Sequence, residues 1–91
     1  MHIRKPRYAP IDAARRGDEI YDLHVRPKLE PDHNGEIVAI DLDSGAWEVG
    51  PDQDTAANRL ESRLQDPQIM VMRVGTRFIA RFGAGRGKNI G

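Results

Sequence analysis

Asp41 and Asp43 are the residues whose type and spacing come nearest to catalytic chemistry. Two apart on an extended strand, they project to one face, and carboxylates ending an apolar strand hold divalent cations in many nucleases. Such a site needs further ligands at matched positions. The run Asp41-Leu42-Asp43-Ser44-Gly45 also has the opening of a calcium loop, but its glycine falls at the fifth place rather than the sixth and no glutamate stands at the twelfth. The simpler expectation is that Asp43-Ser44-Gly45 forms a turn and that Asp41 pairs with an arginine. Asp41 and Asp43 therefore remain weak metal candidates.

The other reactive side chains offer less. His2, His24 and His33 have no metal-ligand spacing to one another. Ser44 and Ser62 lack a nucleophile-elbow context. Gly83-Ala84-Gly85-Arg86-Gly87-Lys88 looks like a phosphate loop, but it is one residue short, Asn89 replaces the Ser/Thr and no helical pattern follows. No catalytic residue, metal or cofactor is assigned, and an enzyme is not expected.

Binding chemistry is better represented. Arg73, Arg77 and Arg81, with Arg86 and Lys88 beyond them, form the strongest basic feature. Interleaved with Phe78 and Phe82, they could form a stacking platform for single-stranded nucleic acid. The competing expectation is that Phe78 and Phe82 face the core and the arginines pair with acidic segments of the same or a second chain. Trp47, the only tryptophan, is the aromatic anchor around which an apolar contact patch would form. The candidate binding residues are thus Trp47, Arg73, Arg77 and Arg81.

The elements that must position these residues follow from composition and pattern. Ninety-one residues suffice for one domain with a thin core, which makes self-association as a homodimer a reasonable expectation. Cysteine is absent, so disulfides and thiolate chemistry are excluded, and no run is long enough to cross a bilayer. The N-terminus is basic without an apolar segment behind it, so no signal peptide is read there, and a cytoplasmic setting is expected. The formal net charge is zero, yet residues 1–28 and 69–91 are basic while residues 29–68 hold most of the acids. Segregation of that kind favours pairing between the middle of the chain and its ends.

Residues 1–10 read as a flexible basic arm, 11–83 as a single α+β domain, and 84–91 as a disordered Gly-rich basic tail. A helix is expected from Ile11 to Arg26, stopped by Pro27, with Ala13, Gly17, Ile20, Tyr21 and His24 on its buried face. Gly17 on that face implies close approach to another element. Pro27 to Gly35 reads as a loop. Glu36 to Val49 is the clearest hairpin: Val38, Ile40 and Leu42 alternate with Ile37, Ala39 and Asp41, so that both faces are apolar enough to be covered. Asp52 is the N-cap of a second helix running to about Asp66. Gln68 to Val74 is another interior strand, and a two-residue Gly75-Thr76 turn would return the chain through Arg77 to Phe82. That turn would place Ile69, Val71, Phe78, Ala80 and Phe82 on one face and Arg77 and Arg81 on the other. The order helix-strand-strand-helix-strand-strand implies a four-stranded, mainly antiparallel sheet, ordered 2-1-3-4, with helices packed against it, which is half of a ferredoxin-like arrangement.

The stretches RRGDEIY (15–21), RPKLEP (26–31), GEIVAIDLDSGAWEVGPD (35–52), AANRL (56–60) and RVGTRFIARFG (73–83) together resemble a family of small uncharacterised bacterial proteins. The resemblance implies a common fold over residues 10–83 and transfers no activity or site residue. Gly50 to Arg59 is also similar in rhythm to small antitoxin domains that use a hairpin followed by a helix. The expected function is a non-catalytic protein-interaction or regulatory module whose partner is another protein. The alternatives are nucleic-acid binding through the C-terminal arginines, or an antitoxin-like partner subunit.

Overall fold

The structure is a computed structural model that describes residues 8–76 in full and residues 79–84 through their backbone. The elements are α1 (Pro10–Ile20), a π-helical turn (Tyr21–Val25), α2 (Arg26–Leu29), β1 (Ile37–Asp41), β2 (Trp47–Gly50), α3 (Gln53–Glu61), β3 (Gln68–Arg73) and β4 (Ile79–Ala84). The class is α+β, and every strand pairing is antiparallel, in the spatial order β2-β1-β3-β4.

β1 is buried at every position. Its alternation splits the core in two. Val38 and Ile40, with Leu42 just beyond the strand, face one side, where they meet Ala13, Ile20, Tyr21, Val25 and Leu29 of the N-terminal helical segment and Met70, Met72 and Val74. Ile37 and Ala39 face the other side, against Ala56 and Leu60 of α3 together with Ile69 and Val71. Each fully buried aliphatic side chain contributes roughly 1.5–3 kcal/mol, so both helical layers are needed to recover the burial of the central strands.

The first helix departs from expectation in two ways. It begins at Pro10, where proline at the first helical positions sacrifices no hydrogen bond, so the chain is ordered before Ile11 and the expected arm does not extend through residues 8–10. Tyr8 already packs against the first core cluster. The remainder of the arm, residues 1–7, and the tail residues 85–91 lie outside the described residues.

Pro27 also fails to stop the helix. The chain widens into a π turn, the Arg26 N–H reaching back to the Tyr21 carbonyl, and α2 continues with Pro27 in its first turn. In an unbroken α-helix the proline ring would collide with the carbonyl four residues earlier; the wider turn displaces that carbonyl and relieves the collision. The buried stripe is delayed by one position as a result. Val25 and Leu29 are buried, whereas His24, expected on the core face, is exposed.

α3 is capped by Asp52, whose carboxylate accepts the Thr55 N–H at 2.7 Å. It ends at Glu61, earlier than the expected Asp66, because the chain tightens into bonds from Arg63 N to Leu60 O and from Leu64 N to Glu61 O. Asp66 takes a φ of 52° before Pro67, whose ring disfavours the right-handed helical region for the residue before it. The β3–β4 register also differs from expectation. Phe82 stands opposite Met70, Arg81 opposite Val71 and Ile79 opposite Met72, with an irregularity between Val71 and Met72. The extra residue there removes the simple alternation that put Phe82 and Ala80 with Val71. Phe78 and Arg77 lie outside the described residues.

Two glycines mark close approaches. A Cβ at Gly17 would lie 2.5 Å from the Met70 sulfur, and one at Gly50 would lie 2.9 Å from the backbone nitrogen of Ala56. Met70 is flexible and can yield, and alanine returns about 1 kcal/mol of helix propensity at position 17. The backbone of α3 cannot yield. Gly50→Ala is therefore expected to cost about 1–3 kcal/mol and Gly17→Ala distinctly less, an order read from urea unfolding midpoints.

Tyr21 joins the end of the first helix to the β3–β4 turn: its hydroxyl donates to Glu30 and accepts the Gly75 N–H at 2.8 Å. Burial, followed by the hydrogen bond to Glu30, raises its pKa above the ordinary 10.0. A raised phenol pKa contributes stability that is fully present below pH 10 and is lost as pH rises through the folded-state value. Alkaline titration of stability should therefore fall less steeply above pH 10 in Tyr21→Phe than in the parent. Parallel curves would remove Tyr21 as the source of that limb.

Candidate functional site

The two aspartates do not form a paired site. Asp41 ends β1 at 4% exposure and accepts hydrogen bonds from Gln68 N (2.8 Å), Ser44 Oγ (2.7 Å), Ser44 N (3.2 Å) and Asp43 N (3.4 Å). The arginine partner expected for Asp41 is replaced by these donors, because the hairpin turn curls its N–H groups back onto the carboxylate and β3 starts beside it. Arg16 instead sends its Nε to the Leu42 carbonyl at 2.9 Å. Asp43 accepts from the Tyr8 hydroxyl at 2.9 Å. Asp41 therefore holds the hairpin turn and the first residue of β3 together. Among the described residues, no three His, Cys, Asp or Glu side chains converge as ligands for a metal ion.

A concavity lies at the β2 edge of the sheet. It is an open groove of about 490 Å³, lined by Leu23, His24, Pro27 and Lys28 on one side and by Ser44 to Trp47 on the other, with Arg63 reaching in. The π turn is what shapes the first wall. Leu23 is 70% exposed although it is a large aliphatic residue. Trp47 is half-buried, one part of it packed against the first core cluster. Ser44 is held by its bond to Asp41, and its hydroxyl accepts the Ala46 N–H at 3.1 Å, so both bonds tie the second wall to the turn.

Two arginines of the α3 end close the adjacent strand edge. Arg59 Nη1 donates to the Val49 carbonyl at 2.6 Å, and Arg63 Nη1 to the Trp47 carbonyl at 3.4 Å and to the Glu48 carboxylate. In the β1–β2 ladder Trp47 and Val49 are the positions whose carbonyls turn away from β1, so these guanidinium groups occupy acceptors that an incoming strand would use.

Of the binding candidates, Trp47 lies in this groove and Arg73 does not. Arg73 stands opposite Ile37 at the far end of β3, is exposed, and donates to the Gly35 carbonyl at 3.1 Å. Ile37 belongs to the α3-side cluster, whereas Trp47 packs on the α1 side, so the two residues are on opposite faces. Arg81 is placed only by its pairing with Val71, and Arg77 lies outside the described residues. Sequence reasoning missed Leu23, His24, Pro27, Lys28 and Arg63. The available signal was the spacing of Tyr21, Val25 and Leu29, which runs an apolar stripe straight past Pro27.

Among the described residues, no helix is long and apolar enough to cross a membrane. If the two arginines protect the edge, the double variant Arg59→Ala with Arg63→Ala should self-associate at concentrations where the parent does not. Sedimentation velocity reads this directly, and an unchanged monomer–oligomer distribution would show the edge to be protected otherwise. No family model, characterised protein or solved structure matches this chain.

Proposed function

We propose that this chain is a non-catalytic cytoplasmic interaction module that binds another protein through the groove between the π turn and the β1–β2 turn. The observation that carries this reading is the exposure of Leu23, at 70%, beside half-buried Trp47 in a walled concavity. Exposed aliphatic and aromatic surface gathered in a concave patch is what protein-binding sites present, and a tryptophan is the side chain most often responsible for binding energy there. The polar groups nearest to catalytic chemistry support the same reading. Asp41 is saturated with donors that build the fold, and Asp43 is turned to Tyr8.

The C-terminal arginines supply the competing nucleic-acid reading; of these, Arg73 is exposed and donates to the Gly35 carbonyl, away from the groove. The deciding measurement is affinity capture from native cytoplasm with the tagged chain, with and without nuclease. A stoichiometric protein that survives nuclease is the expected result. Recovery of nucleic acid alone, with all proteins lost after nuclease, would overturn the proposal.

A further inference from the structure

The groove has a chemical bias that its surroundings lack. Residues 29–68 are strongly acidic, and the hairpin alone carries Asp41, Asp43 and Glu48. None of these carboxylates lines the groove, whose charged or ionisable residues are His24, Lys28 and Arg63. Of the acids nearby, Asp41 is bonded to the turn and to Gln68, Asp43 to Tyr8 and Asp22 to Arg26 at 3.1 Å, while Glu48 pairs with Arg63 at the groove itself. Arg63 reaches Glu48 and the Trp47 carbonyl through Nη1 alone, and a guanidinium carries donors on its other nitrogens that can face a ligand. The floor between these groups is apolar, formed by Leu23, Pro27, Ala46 and Trp47.

The π turn points to the same place. In a regular helix His24 would fall on the core face with Tyr21 and Ile20. The wider turn gives that position to Val25 and leaves His24 and Leu23 on the groove side. π turns of this kind occur frequently at functional sites, and here the turn sets both the apolar floor and one basic part of the rim.

Resting on the interaction-module reading, we propose that the groove takes an extended acidic segment of a partner protein, one bulky apolar side chain of which enters between Leu23, Pro27 and Trp47 while flanking carboxylates meet Lys28, His24 and Arg63. Charge complementarity selects this occupant: a basic segment would meet Lys28 on one wall and Arg63 on the other, whereas carboxylates meet Lys28 and the Arg63 nitrogens not bonded to Glu48. Arginine contributes most where it can fork onto a carboxylate, and Lys28 adds a mobile point charge on the opposite wall.

Trp47 is the only tryptophan, so its fluorescence reports on this groove and nowhere else in the chain. The full chain is titrated with a capped peptide in which one central phenylalanine is flanked on both sides by glutamates, and with a counterpart carrying lysines in their place. The expected result is a saturable Trp47 response to the acidic peptide alone, weakened roughly tenfold or more by Lys28→Glu and by Leu23→Asp. Both residues are exposed, and unchanged circular dichroism and urea midpoints identify the variants as folded. No saturable response to the acidic peptide, or equal affinity in the folded variants, overturns the proposal. A single-stranded oligonucleotide that competes for the same response overturns it in favour of nucleic acid. The captured partner separates the two levels of inference. A protein that binds the parent and the folded Leu23→Asp variant alike removes the groove and leaves the interaction module standing, whereas no captured protein at all removes the module.

Discussion

A strand with apolar side chains on both faces cannot exist in water without a layer on each side, and β1 is such a strand. In a short chain this requirement dictates almost everything else. One layer comes from the N-terminal helical segment and the other from α3, with β3 beside β1 sharing both. Asp41 ends the strand by satisfying the turn on one side and the start of β3 on the other. A carboxylate at 4% exposure would be costly alone; it is tolerated because main-chain and hydroxyl donors surround it. The residue that looks most like a catalytic group is thereby the one that fixes the register of the central strands.

The N-terminal layer has to cover the sheet while passing a proline. The stripe Ala13, Gly17, Tyr21, Val25, Leu29 advances by four residues at each step, slower than a regular helix, and the π turn supplies the slack. Tyr21 then ties the segment to Glu30 and to the β3–β4 turn. Packing on the inner face thus determines what stands on the outer one. Leu23 and His24 are exposed because Val25 is required inside, and the groove beside Trp47 is the outward consequence of a core solution.

The parts of this arrangement that were legible in the sequence are those governed by local chemistry. The alternation of Ile37 to Leu42 identified a strand covered on both sides, Asp52 identified a helix cap, and Gly17 identified a close approach that the Met70 sulfur now explains. What was not legible depends on tertiary choice. Pro27 reads as a stop because proline usually is one, and only the continuation of the stripe to Leu29 shows that burial prevails over the local preference. The β3–β4 register is not legible because one extra residue in a ladder reverses the side chains beyond it, and nothing in the sequence marks Ala80, which falls between the partners of Met72 and Val71, as that residue. The groove is illegible for a related reason: its walls come from segments far apart in sequence, and the helix that forms one of them changes phase by one residue at the π turn.

Edge and groove constrain each other. The carbonyls of Trp47 and Val49 that turn away from β1 are occupied by Arg63 and Arg59, so the edge is guarded against strand addition by side chains that α3 carries to it. On the proposed reading, recognition beside β2 would fall to side chains in the groove rather than to main-chain pairing along the strand. Arg63 takes part in both, holding the Trp47 carbonyl and Glu48 while lining the concavity. An anionic ligand that draws Arg63 toward itself must do so against those bonds, and whatever it removes from the Trp47 carbonyl it exposes at the edge. The retained contact with Glu48 limits that movement. A guanidinium with several donors in fixed fork geometry can serve both sides without leaving either, whereas a lysine at this position would have to choose.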